Sequence, residues 1–236
     1  MACHLAEWAA LAAPGTETES NLGLLFARAL PEWNENDANE RGKAFAKFLC
    51  DLAKHQAPES YRLAYARWQR LTAEHAAQWE GKLDTRLFTG LGAPHALETC
   101  LSFSRPWGLP LLPGSALKGL TRAHALRRGI GREATEILFG RAPDGDGDEG
   151  EGGYLIFHDA WWMPGSAETP LAPEVVTVHH AGYYGSHGET PATDFDSPNP
   201  NAQIAARGGF LFVIEGDGAW AQYAMNLLRE ALAWSG

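Results

Sequence analysis

The sequence predicts an α+β protein in which a small sheet is backed by helices, and three observations predict it. Apolar residues recur at helical spacing before residue 85, the period changes to two beyond it, and two further helical stretches fall between the later strands. Glycine changes with the period. Nearly all of the 26 glycines lie after Gly81, so a boundary is expected near residue 85, with a helical segment over 1–85 and the sheet-bearing core over 86–236.

In the first segment Phe45, Phe48, Leu49 and Leu52 share one helical face, and Tyr61, Tyr65, Trp68, Thr72, His75 and Trp79 share another. Two helices follow. The aromatic stripe on the second is read as packed core, and His75 with it. Asn34 to Asn39 is polar, acidic and aperiodic, which predicts a loop. In the core, Leu97, Thr99, Leu101 and Phe103 alternate with Glu98, Cys100 and Ser102, and Tyr154 to Trp161 and Phe210 to Ile214 are rich in β-branched and aromatic residues. These are the expected strands. One helix opens at Ser115, and a second runs from Trp220 to Trp234 with Trp220, Ala224, Leu227, Leu228, Ala231 and Leu232 as its apolar stripe. With few helices against at least four strands, all of them are expected on one face of the sheet.

Composition bounds the function. At 236 residues, 45% hydrophobic and 20% charged, the chain is large enough for a continuous core. It has no apolar run of the roughly 18 residues that a membrane span needs. Met1 to Ala13 lacks a basic leader and carries Glu7, so a cytoplasmic location is expected. Cys3, Cys50 and Cys100 are too far apart for a zinc knuckle or a paired framework and are read as buried thiols. A formal charge of -10 excludes coating a nucleic acid by bulk electrostatics; any RNA contact must be a local patch.

Such a patch exists. From Ser115 to Arg132 there are five basic residues, Lys118, Arg122, Arg127, Arg128 and Arg132, and no acidic ones. Pro113-Gly114 turns the chain, and Ser115 is placed to cap the helix, whose first N–H groups attract anions. At about 100° per residue, Lys118, Thr121, Arg122 and Arg128 are predicted on one face, with Ala116, Leu117, Leu120 and Ala123 opposite and packed on the sheet. Arg127 falls on the apolar side and must snorkel or pair. The segment is not a P-loop, because Lys118 precedes Gly119 and Leu120 follows it.

Together with Thr89-Gly-Leu-Gly, Pro94-His95, Leu97-Glu98-Thr99 and Trp107-Gly-Leu-Pro110, the string Leu112-Pro-Gly-Ser-Ala-Leu-Lys-Gly-Leu-Thr-Arg122 resembles the RAMP superfamily of CRISPR-associated proteins. Within it, the order of segments is similar to the sixth-subunit family of the type III-B (Cmr) effector complex. Gly153 to Ala160, Val175 to His180, Gly182-Tyr-Tyr184, Asn199-Pro200 and Phe210 to Ile214 follow in that family's order, so the resemblance covers about residues 86 to 234. It implies a ferredoxin-like, RRM-like core and a non-catalytic RNA-binding subunit of a ribonucleoprotein that targets RNA in antiviral defence. Its implied partners are guide RNA, target RNA as a second candidate, and other Cmr subunits including the backbone RAMP subunit. Carried over by residue, Gly114, Ser115, Lys118, Arg122 and Arg128 would face the RNA backbone, leaving sequence to base pairing. The chain departs from the family in stopping at Ser235-Gly236, before the usual glycine-rich loop.

The other motifs are weaker. Asp144-Gly-Asp-Gly-Asp148 imitates a calcium loop, but Glu149 stands where glycine is required and Leu155 where the closing glutamate belongs; a solvated acidic loop is expected, with docking of a basic partner as an alternative. His179, His180 and His187 lack a companion ligand at metal-binding spacing. Adjacent residues of a strand point apart, so His158-Asp159 is not read as a catalytic pair. No cofactor, metal or membrane partner is expected. Two competing functions remain: a metal-independent endoribonuclease processing guide precursors, drafting His95, His179 or His180 with Lys118, and a protein-binding module whose basic helix meets an acidic partner.

Overall fold

The computed structural model describes residues 20–30, 37–90, 99–145, 147–178 and 180–235. In chain order its elements are α1 (Leu22–Arg28), α2 (Ala38–Leu52), α3 (Glu59–Ala73), β1 (Ala76–Lys82), β2 (Leu111–Leu112), α4 (Gly114–Arg127), α5 (Arg132–Phe139), β3 (Gly140–Arg141), β4 (Glu151–Gly152), β5 (Ile156–Phe157), β6 (Ala160–Trp162), β7 (Leu171–Val178), α6 (Ala181–Gly185), β8 (Asn199–Ala206), β9 (Gly209–Glu215) and α7 (Gly218–Ser235). Every strand pairing is antiparallel, so the α+β class stands. Among the described residues no helix is long and apolar enough to cross a membrane.

The expected cut at residue 85 is replaced by two interleaved compact units. One comprises Met1–Ala57, Thr85–Leu109 and Glu168–Arg207; the other comprises Pro58–Asp84, Pro110–Ala167 and Gly208–Gly236. The physical reason is β1, which the sequence placed on a helix. Ala76 to Lys82 instead pairs along its whole length with β9, and the Trp79 ring stacks on Phe212 with centroids 4.9 Å apart. The helix that carries Tyr61 and Tyr65 ends at Ala73, so His75 lies beyond it and is exposed.

In this second unit β9 is central, with β1 on one side and β5 and β6 on the other, and β2 lies beyond β6. Six of its seven residues are buried, which requires cover on both faces. Gln78 donates to the Thr72 hydroxyl and the Gln69 carbonyl of α3, while the neighbouring Trp79 receives Arg229 of α7 over its ring at 5.3 Å. Neighbouring strand residues point to opposite faces. Helices therefore cover both faces rather than the expected one. Trp161 is sandwiched by Tyr61 at 5.9 Å and Trp68 at 5.8 Å, and the buried Tyr61 hydroxyl donates to the Trp162 carbonyl at 2.6 Å. Helix α7 buries Ala221, Ala224, Leu228 and Ala231 much as its stripe predicts, but Trp220 is exposed. The run from Tyr154 to Trp161 breaks at His158-Asp159 into β5 and β6.

In the first unit, Asp37 caps α2 by accepting from the N–H groups of Asn39 and Glu40, so the predicted loop ends earlier than Asn39. Phe48, Leu49 and Leu52 are buried as their spacing predicts. Residues 99–102 keep the alternating burial and Phe103 is half-buried, but the stretch forms no strand; Leu97 and Glu98 lie outside the described residues. Their hydrogen bonds go through hydroxyls instead: Thr99 Oγ1 accepts from the Ile204 N–H, and the Ser102 N–H donates to Thr89 Oγ1. Gly108 has φ +68°, and a Cβ there would lie 2.5 Å from the Leu22 nitrogen at the start of α1. Strands β7 and β8 form a hairpin from Leu171↔Ala206 to Val178↔Asn199. Of the three thiols read as buried, Cys50 is exposed, Cys100 is half-buried and Cys3 lies outside the described residues.

Candidate nucleic-acid interface

The basic stretch forms α4 and the first residue of α5, separated by Gly129-Ile-Gly131. Pro113, not Ser115, is the N-cap, and no side chain caps the helix. Helix α4 begins against β5: a Cβ on Gly114 would lie 2.1 Å from the Phe157 carbonyl oxygen. The Gly114 N–H donates to Asp159 Oδ1 at 2.8 Å, so a carboxylate of the chain already stands where a helix N-terminus attracts anions. Ser115 is exposed in the first turn. The anion site expected at the cap is therefore occupied from within, and Gly114 acts there through its lack of a side chain.

The buried face of α4 is Gly114, Leu117, Thr121, His124 and Ala125, which is turned from the predicted one. Thr121 was expected among the cations. It is fully buried because its hydroxyl donates to the Leu117 carbonyl at 2.7 Å, which satisfies it inside the helix. Ala116 and Ala123, expected on the sheet, are exposed. His124 is paired with Glu230 of α7, Nε2 to Oε2 3.2 Å. At about 100° per residue Ser115, Lys118 and Arg122 then share one flank beside the buried face, and Arg128 falls outside that stripe.

The cations divide accordingly. Arg128 Nε lies 3.7 Å from Glu230, and Arg132 Nε donates to Glu136 at 2.7 Å, a bond that raises the guanidinium above its ordinary pKa. Lys118 and Arg122 are half-buried, and among the described residues neither has an acidic partner. Arg122 Nε is buried without any hydrogen-bond acceptor. A buried guanidinium N–H lacking an acceptor is costly. An anion arriving along this flank would supply one.

The remaining motifs are resolved by their partners. Arg141 pairs with Asp148, which also accepts from the N–H groups of Asp144 at 2.8 Å and Gly150 at 3.1 Å. Those bonds, the Arg141 guanidinium first, hold the Asp148 carboxyl well below the usual carboxylate range and close the acidic loop on itself. His158 and Asp159 point apart as predicted: His158 Nε2 meets Glu215 Oε2 at 3.0 Å, with Trp68 packed edge-on at 5.1 Å. His180 Nδ1 meets Asp196 Oδ2 at 2.9 Å, and His95 and His179 lie outside the described residues. No group of three potential metal ligands is present among the described residues. The role of Asp159 at the start of α4 was not visible in the sequence, where 45 residues separate it from Gly114.

Comparison with known proteins identifies the family. The RAMP superfamily matches residues 80–229, more than half of the chain. Over 68 residues the sequence is 38% identical to the CRISPR system Cmr subunit Cmr6 of Pyrococcus furiosus, a match that spans 28% of this chain and a fifth (20%) of that protein's length. A chain of the type III-B Cmr-beta complex bound to cognate target RNA superposes with a TM-score of 0.57 over 96% of this chain and 79% of its own, at 16% identity, which is a likeness of fold. The crystal structure of Cmr6 from Pyrococcus furiosus aligns with 67% of this chain and 90% of its own at 23% identity, with a TM-score of 0.37.

Proposed function

The chain belongs to the RAMP superfamily, and from that premise we propose that it is a non-catalytic, RNA-binding structural subunit of a type III-B CRISPR effector ribonucleoprotein. The observation that carries the reading is the flank of α4: Lys118 and Arg122 lack acidic partners among the described residues, and Arg122 buries an N–H without an acceptor. Such a pair suits phosphate oxygens, which position a protein on RNA without reading its bases. Because Asp159 already takes the Gly114 N–H, phosphate in this reading is met by the Lys118 and Arg122 side chains rather than by that N–H. Arg128 adds charge at the far end of α4, shared with Glu230.

The test measures RNA affinity against salt for the wild type and for Lys118→Gln and Arg122→Gln, which keep part of each stem. Both variants are expected to bind all sequences more weakly, with the salt slope reduced by about one for each lost phosphate contact. Unchanged affinity and slope in both would leave a subunit that meets only protein. Cleavage of guide precursor by the purified chain, abolished in His180→Ala, would replace the non-catalytic reading with a nuclease.

A further inference from the structure

Val175 and Val176 are neighbours on β7, and they are 56% and 47% exposed. Since adjacent strand residues face opposite ways, the distal part of the β7–β8 hairpin exposes an apolar side chain on each face, whereas Leu171, Ala172, Ile204, Ala205 and Ala206 at its base are buried. A two-stranded ribbon alone is marginally stable in water. At its end the apolar surface continues: Tyr184 on α6 is 66% exposed and packs edge-on to Tyr183 at 5.5 Å, and Phe195 is 97% exposed.

The turn that carries Phe195 is hydrogen-bonded. The next residue, Asp196, accepts from the Thr193 N–H at 3.2 Å and the Thr193 hydroxyl at 2.9 Å, and it meets His180 at the foot of α6. A fully exposed aromatic on an ordered turn has less backbone freedom left to lose on binding, which suits an interface anchor.

Charge selects the kind of partner. Residues 171–206 contain four acidic residues, Glu174, Glu189, Asp194 and Asp196, and not one Lys or Arg. On the hairpin and its loop Glu174 is taken by Arg86 and Asp196 by His180. Glu189 and Asp194 flank the aromatics without an ion pair among the described residues. A polyanion needs cations to displace its counterions, and residues 171–206 of the arm carry no Lys or Arg of their own; the one guanidinium that reaches the hairpin, Arg86, is taken by Glu174. We propose that the β7–β8 hairpin, with Tyr184 and Phe195 at its end, is a docking arm for another protein subunit whose receiving surface is apolar at its centre and basic at its rim. The inference rests on the reading of the chain as a subunit of an effector complex.

The test co-expresses the chain with the other subunits of a type III-B complex and guide RNA, and compares the wild type with Tyr184→Ser/Phe195→Ser and with Glu189→Lys/Asp194→Lys. All four side chains are exposed, so folding is preserved, which circular dichroism checks. Each double variant is expected to be retained at least about tenfold less. The RNA affinity of the isolated chain is expected to stay unchanged, and the effect of charge reversal to shrink as salt rises. Undiminished retention of both variants overturns the proposal. A fall in RNA affinity in the aromatic variant also overturns it, since the arm would then be an RNA contact. If the wild type itself never enters the complex, the subunit reading fails and the arm with it; a wild type that enters alongside indifferent variants sinks the arm alone.

Discussion

Replacing Gly114 by alanine sets two effects of known size against each other. In an ordinary helix the change is favourable by up to about 1 kcal/mol, because alanine gives up less backbone freedom on folding. Here the new Cβ would lie 2.1 Å from the Phe157 carbonyl oxygen and 2.9 Å from the carbonyl carbons of Phe157 and His158. These are backbone atoms of β5 and the residue after it, so no side chain can swing aside. To restore the 3.4 Å of an ordinary contact, the start of α4 must retreat by about 1.3 Å. Overpacking of this kind costs about 1–3 kcal/mol. The retreat also stretches the 2.8 Å bond from the Gly114 N–H to Asp159. The net expectation is a loss of about 2 kcal/mol, close to a thirtyfold change in the folding constant, read as a lower urea midpoint by circular dichroism. Asp159→Asn, which keeps the shape, should cost less than Gly114→Ala. A Gly114→Ala protein as stable as the wild type would refute the close approach of α4 to β5 on which the placement of Lys118 and Arg122 depends.

Two buried tyrosines on α3 should respond differently to loss of the hydroxyl. Tyr61→Phe removes a bond to the Trp162 carbonyl and should cost about 1–2 kcal/mol in a urea titration. Tyr65→Phe should cost nothing at neutral pH, because the buried Tyr65 hydroxyl has no hydrogen-bond partner. Burial pushes Tyr65 up to about 12 from its ordinary 10.0. The unfolded chain therefore releases this proton first, so the protein's stability is unaffected by this group below pH 10 and falls as pH rises from 10 to about 12. Denaturation midpoints across that range should fall less steeply in Tyr65→Phe than in the wild type. In the acidic loop, Asp148→Asn loses the Arg141 ion pair, and the amides of Asp144 and Gly150 should exchange with deuterium faster than in the wild type.

The elements legible in the sequence were those whose pattern agrees with their packing. Phe48, Leu49 and Leu52 mark α2, Ala224, Leu228 and Ala231 mark α7, and Phe210 to Ile214 marks the central strand. Strand β1 was illegible because Ala76-Ala-Gln-Trp-Glu-Gly-Lys82 has no β-branched residue, and because His75 and Trp79 fall by coincidence at the helical spacing set by Tyr61 and Tyr65. Its strand state is dictated by β9, far along the chain. The converse happened at 99–102, where alternation gave the correct burial but hydroxyls supplied the bonds that a ladder would have made. On α4 the cationic stretch was plain, yet its buried face was misread at Thr121, since a polar residue satisfied within its own helix looks like a surface residue in a pattern. Asp159 and Glu230, which neutralise part of the site, come from other elements, and no local pattern announces them.

The position of β9 bears on how the protein is made. Lys82 and Gly209 pair across the sheet although they are 127 positions apart. At about 5–20 residues per second, Lys82 is synthesised some 6–25 s before its partner Gly209. Throughout that interval Trp79 has no Phe212 to stack on, and the pairing of β1 with the central strand waits on the last part of the chain.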